Sequence, residues 1–383
     1  MKLTFAYDGV LFYDSNGNWF GRNYADLEKR YSLLSDDITY LMRTKEDDKA
    51  SKKMAEMPQN TKVVSVPNFL SPKGYINNKK QAEKIIREQV SKTDCVIVRL
   101  PGMISQIAIK YAIMYKKPYI VEVVGCVWDS LFHHSMKGKL LAPFEFFFTK
   151  RAIKRSQYVI YVTNDFLQKR YPTNGKSVGI SDVIIRPIQS ERLEDSYNNH
   201  DIEKIIHVGT AGAVNISYKG QEFVIKALAK LKGITNKRYI YHIAGGGDQS
   251  RLLEIAKKNK VSNDVIFEGC IPHQKMNEWY DSLDIYIQPS TVEGLPRALL
   301  EAMSREITCL GSNVGGIPEL LPTECLFSIG NVDKIASLLN HCSSDWMEKE
   351  SKKCYIKSMN YREEILKKKR DDFYKEFLND QGW

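Results

Sequence analysis

Between Leu283 and Met303 the chain reads LDIYIQPSTVEGLPRALLEAM: an apolar run, a proline-punctuated turn, then a helix-forming segment. The run is short and β-branched enough to be a buried strand, and Pro296 suits a first helical position because its φ is fixed and its N–H is missing. A strand feeding a helix in this way aims free backbone N–H groups and a positive dipole end at the mouth of an α/β sheet. Glu293 precedes the helix start and Glu301 lies in its second turn, with seven residues between them. Two carboxylates beside an anion site suit a ligand with a charged centre and hydroxyls on both sides, as in a nucleotide sugar. The plainer reading is a surface helix with two solvated glutamates, and spacing alone does not separate the two.

The rest of the chain has the same alternation of strand and helix signals. In the first half, strands are expected at Lys2–Tyr7, Ile38–Arg43, Lys62–Val66, Cys95–Val98, Tyr119–Val124 and Tyr158–Val162. Helices are expected at Asn23–Leu34, Gln81–Val90 and Ile104–Tyr115. The segments Asp8–Arg22, Arg99–Gly102 and Gly125–Met136 then follow strand ends, where open parallel sheets collect ligands. The polar run SERLEDSYNNH, 190–200, has no apolar periodicity and reads as a linker. With 383 residues the chain suits two domains, expected at 1–188 and 201–350, with a charged helical tail over 351–383.

The resemblance rests on an ordered set of motifs. Pro289-Ser290-x-x-Glu293-Gly294-x-Pro296 and Leu300-Glu301-Ala302-Met303 are preceded by His207-Val208-Gly209, Tyr218-Lys219-Gly220, Ile243 to Asp248 (IAGGGD) and Val265 to Gly269, and followed by Val314 to Glu319 (VGGIPE). Over roughly 203–330 this set resembles the family 4 retaining glycosyltransferases. The resemblance implies the α/β GT-B fold: two Rossmann-like domains facing across a cleft, the final helix crossing back to the first. It also implies a nucleotide-sugar donor, with a UDP-sugar favoured, and a glycan or lipid-linked acceptor in cell-surface polysaccharide assembly.

By the same resemblance, Glu301 accepts from the ribose hydroxyls and Glu293 meets the transferred sugar. Gly294, Leu295, Pro296 and Arg297 line the anion site, Ile271 contacts the base, and Gly245 and Gly9 allow close backbone approach. Lys219 offers its ammonium to the departing diphosphate, so neither metal nor cofactor is required. Arg99, Glu122 and Asp129 are candidates on the acceptor side. Two departures stand out. Many family members carry an arginine where this chain has Thr210, read here as part of a loop to Tyr218, and the loop Gly125–Asp129 lacks the family's histidine. His133 and His134 read better as polar helix-start residues. A GT-B sugar-nucleotide epimerase and a non-catalytic partner subunit are the alternatives.

The net charge of +10 suits a phosphorylated substrate or an anionic surface. No nucleic-acid motif accompanies it, and nucleic acid is not an expected partner. The Asp-Asp pairs at 36–37, 47–48 and 371–372 read as solvated and not as metal ligands. Seven scattered cysteines without a C-x-x-C pair point to a reducing cytosol. No signal peptide or membrane span is visible. Residues 139–155, KLLAPFEFFFTKRAIKR, combine an aromatic apolar face with a basic cluster, the pattern of a helix lying on an anionic membrane, here at the inner face of the cell membrane. A helix covering the sheet, its basic last turn favoured by the dipole, is the ordinary alternative.

Overall fold

The computed structural model describes residues 1–21, 27–52, 54–132, 136–185 and 204–383. His133 and His134 lie outside the described residues, as does the expected linker at 190–200. The chain forms two compact units: Met1–Ile180 with Lys367–Trp383, and Ser181–Leu366.

The first unit is built on strands β1 (Lys2–Tyr13), β2 (Trp19–Gly21), β3 (Asp37–Glu46), β4 (Ala55–Glu56), β5 (Lys62–Ser65), β6 (Cys95–Leu100), β7 (Tyr119–Val123), β8 (Tyr158–Tyr161) and β9 (Lys176–Gly179). Its parallel body runs β5-β3-β1-β6-β7-β8-β9. The helices are α1 (Leu27–Tyr31), α2 (Pro72–Lys92), α3 (Met103–Met114), α4 (Val127–Phe132), α5 (Met136–Arg155) and α6 (Phe166–Arg170). Ser71 caps α2 by accepting from Gly74 N, with Pro72 at the helix start. Every residue of β6 is buried, which is why it reads as a continuous apolar run.

Two expectations change here. Up to Gly21, the segment after Asp8 is a β-hairpin and not a loop: β1 continues to Tyr13, shifts register between Ala6 and Val10, and turns back over Asp14–Asn18 into β2. Its aromatics are strand residues, the rings of Tyr13 and Trp19 meeting at a tilt with centroids 5.2 Å apart. The expected helix at 23–34 is confined, among the described residues, to α1.

The second unit is a parallel sheet in the order β12-β11-β10-β13-β14-β15. Its strands are β10 (Ile205–Ala211), β11 (Arg238–Ala244), β12 (Val265–Gly269), β13 (Ile285–Gln288), β14 (Thr308–Ser312) and β15 (Leu326–Phe327). The helices α7 (Gln221–Leu231), α8 (Ser250–Lys258), α9 (Met276–Asp281), α10 (Arg297–Met303), α11 (Ile317–Leu320), α12 (Val332–His341) and α13 (Ser344–Ser358) complete it. The order turns at β10 and β13, a switch point where open α/β sheets hold ligands.

The tail boundary expected at 351 moves to 367. Helix α13 buries Met347 and Cys354, and Thr308 Oγ1 of β14 donates to Met347 O at 3.0 Å, so it belongs to the second unit. Only Lys367–Trp383, most of α14 (Glu363–Gln381), joins the first unit. There Phe373 and Phe377 lie edge-on to Tyr158 at 5.7 and 5.0 Å, and Tyr374 meets Tyr31 at 6.4 Å. Among the described residues no helix is long and apolar enough to cross a membrane.

Candidate active site

At the C-terminal edge of the second sheet the chain leaves β13 through Pro289–Pro296, and glycines hold this segment from both sides. Gly220, at φ 72°, brings the Ser217–Lys219 turn so close that a Cβ would lie 2.0 Å from Pro289 O. Gly315, at φ 58°, does the same against Glu293 O, and Gly316 N donates to Gly294 O at 2.7 Å. Only glycine takes such φ values without strain, so both motifs serve the shape of the segment between them.

That segment presents Glu293. Its Oε1 accepts from Lys219 Nζ at 2.7 Å, Ser290 Oγ at 2.7 Å and Gln288 Nε2 at 3.0 Å. Gln288 is itself fixed: the Tyr286 hydroxyl accepts from Ala211 N at 3.3 Å and donates to Gln288 Oε1 at 2.7 Å. Burial, before anything else, pushes the Tyr286 phenol well above its ordinary value, so it remains a neutral donor. All three of these donors converge on Oε1 and none of them on Oε2.

Glu301, on α10, is half-buried, and its Oε2 accepts from Tyr280 OH at 3.0 Å. Tyr280 is likewise held protonated, chiefly by burial. Helix α10 starts at Arg297, with Pro296 as the capping residue rather than the first helical one. Arg297 is exposed and makes no ion pair with the described residues; Gly294 and Leu295 are half-buried. Gly245 N donates to Gly269 O at 2.7 Å, and Gly245 backs onto Gly212 O, which joins the loops after β10, β11 and β12. Ile271 follows Cys270, an exposed thiol whose sulfur lies over Gly246. Thr210 is not in a loop. It is a buried β10 residue, donating to Ile287 O at 2.7 Å and accepting from Tyr241 OH at 2.8 Å.

The acceptor-side candidates in the first unit are engaged with neighbouring side chains. Arg99 and Glu122 are 8% and 4% exposed and pair with each other at 3.1 Å, Glu122 also accepting from Tyr31 OH at 2.9 Å. Asp129 pairs with Arg170 at 3.3 Å. Gly9 sits at the irregularity of β1, beside Asp8, whose carboxylate accepts from Met103 N and Ile104 N at 2.7 Å and so caps α3. No group of three or more His, Cys, Asp or Glu is gathered for a metal among the described residues.

Gln288, Ser290, Tyr286 and Tyr280 were not assigned from sequence. Only Gln288 carried a signal, an amide closing an otherwise apolar buried strand.

Residues 194–359 match the family model described as glycosyl transferases group 1. Over 379 residues the chain is 32% identical to protein CapJ of Staphylococcus aureus, covering 97% of this chain and 90% of that one. The chain belongs to the group 1 glycosyltransferases. This glycosyltransferase also shares its fold with sucrose-phosphate synthase from Thermosynechococcus elongatus, at TM-score 0.70 and 13% identity over 99% and 100% of the two chains. Anabaena HepE in complex with UDP aligns at TM-score 0.67 and 15% identity over 98% and 100%. The fold is GT-B, with two Rossmann-like units.

Proposed function

We propose that the enzyme is a family 4, retaining transferase that moves a sugar from a UDP-sugar to a lipid-linked glycan in cell-surface polysaccharide assembly. The observation that carries this reading is the Lys219–Glu293 pair, held on one carboxylate oxygen by buried donors, with Glu301 eight residues further on at the same sheet edge. The solved HepE complexes with UDP and UDP-glucose support a uridine donor. A fold neighbour described as involved in lipopolysaccharide biosynthesis supports the glycan context. The work is placed in the cytoplasm, at the inner face of the cell membrane, where a lipid-linked acceptor would lie.

In this mechanism the bond between the anomeric carbon and the diphosphate oxygen breaks as the acceptor oxygen bonds the same carbon from the same face. The acceptor proton passes to the departing diphosphate, which leaves as UDP. Lys219 transfers its ammonium from Glu293 to the growing diphosphate charge, and Arg297 is a second cation nearby in sequence, so no metal is required. Glu293 Oε2 receives the sugar hydroxyls and Glu301 the ribose. The protein chiefly supplies position and fixed charge.

The test is a thermal-shift panel of UDP, GDP, ADP and their sugars, followed by NMR assignment of the product anomer. UDP-sugars should give the largest shift, and the product should keep the donor's anomeric configuration. An inverted product would remove the retaining assignment, and donor turnover without acceptor would favour an epimerase.

A further inference from the structure

Helix α5 packs inward through one face. Phe146 meets Trp128 and Tyr171 at 5.9 and 5.1 Å, Gln106 Nε2 donates to Glu145 Oε2 at 3.2 Å, and Ala142, Thr149 and Ile153 are buried. The opposite face is bare. Met136, Leu140, Leu141, Phe144, Phe147 and Phe148 are all 53% to 75% exposed. At 3.6 residues per turn these six fall within an arc of about 140°. Two-faced helices normally turn polar residues to water; this one turns aromatics outward.

The same arc changes character along the axis. Beyond Phe148 it carries Arg151, Lys154 and Arg155, all exposed, while Lys139 and Lys150 are exposed at its margin. The one acid of the helix, Glu145, is half-buried toward α3. The surface is thus apolar over its first three turns and cationic over its last, with no exposed acid on the helix. A protein partner with a matching apolar groove would have no need of this cation cluster. A bilayer with anionic headgroups meets both, taking rings among the acyl chains and cations at the phosphates.

We propose that α5 docks the enzyme on an anionic membrane with its N-terminal half the deeper. This holds whatever reaction the second unit performs, since every residue concerned lies in the first unit. The cations also suit the helix dipole, but that role would change the helix's stability and not lipid binding.

The full chain is tested by co-sedimentation with phosphatidylcholine vesicles, with and without phosphatidylglycerol, at low and high salt. Binding should require phosphatidylglycerol and weaken at high salt. It should fall at least about tenfold both in Phe144→Ser/Phe147→Ser/Phe148→Ser and in Arg151→Gln/Lys154→Gln/Arg155→Gln, with nucleotide-induced thermal shifts unchanged. Tryptophan placed at Leu141 should be quenched by brominated lipid more than tryptophan at Phe148, seven residues on. Equal binding to neutral vesicles, or unaffected binding by either triple variant, overturns the proposal. So does unfolding of the serine variant, which would make the rings core, or a dimer in size-exclusion chromatography that the serine variant abolishes. Equal or reversed quenching removes the deeper N-terminal half.

Discussion

Among the donors on Glu293 Oε1, Gln288 has no freedom of its own, because Tyr286 holds its amide oxygen and so turns its N–H₂ toward the carboxylate. Gln288→Leu keeps the volume but leaves the buried Tyr286 hydroxyl without an acceptor. Stability should fall by about 1–3 kcal/mol, and kcat should fall while donor KM changes little. Denaturant melts and steady-state kinetics read the two effects, and Gln288→Asn restoring neither would show that reach matters as well as chemistry. Lys219→Ala should lower kcat more than donor affinity, as its charge counts most when the diphosphate leaves. A raised KM with kcat intact would remove that role. Glu301→Ala should weaken UDP-sugar binding by about 1–3 kcal/mol, measured by calorimetry on folded protein. These residues were legible in unequal measure. Glu293, Glu301 and Lys219 sit in recognisable spacing, whereas Tyr286 and Tyr280 look from sequence like any other buried ring.

At the scale of elements, the Pro289–Pro296 segment takes its shape from backbone contacts on either side. Gly315→Ala would put a methyl against Glu293 O at a positive φ and should cost at least about 1–3 kcal/mol, with donor binding lost alongside. A thermal melt with and without UDP checks both. The strand–turn–helix around this segment was readable because a strand buried on both faces is an unbroken apolar run. The β1–β2 hairpin was not, since Asp8 and Gly9 interrupt the apolar pattern where the register shifts. The setting of Arg99 and Glu122 was not readable either. Charged residues at the ends of apolar strands suggest solvent, whereas Arg99 in β6 pairs with Glu122 in β7 and Tyr31 donates to Glu122.

On the scale of the whole molecule, burial keeps Tyr31, Tyr241, Tyr280 and Tyr286 protonated in the folded state above their ordinary 10.0. Unfolding releases those protons once pH exceeds that value, so the folded state then binds more protons than the unfolded one. The stability they contribute is intact below about pH 10 and declines as pH rises from there toward the folded values. Melting temperature should fall on that limb together with a rise in phenolate absorbance, and Tyr241→Phe should soften the decline.

The first unit is closed by residues that follow Ile180 by on the order of 190 positions, with Phe373, Tyr374 and Phe377 supplying the contacts to Tyr31 and Tyr158. Ribosomes add about 5–20 residues per second, so the N-terminal sheet waits roughly 10–40 s for its last helix. Until then Tyr158, and the Tyr31 that donates to Glu122, lack their covering rings, and the nascent chain offers that surface to chaperones. A message truncated shortly before codon 367 would therefore release a chain whose second unit is nearly whole and whose first unit is open.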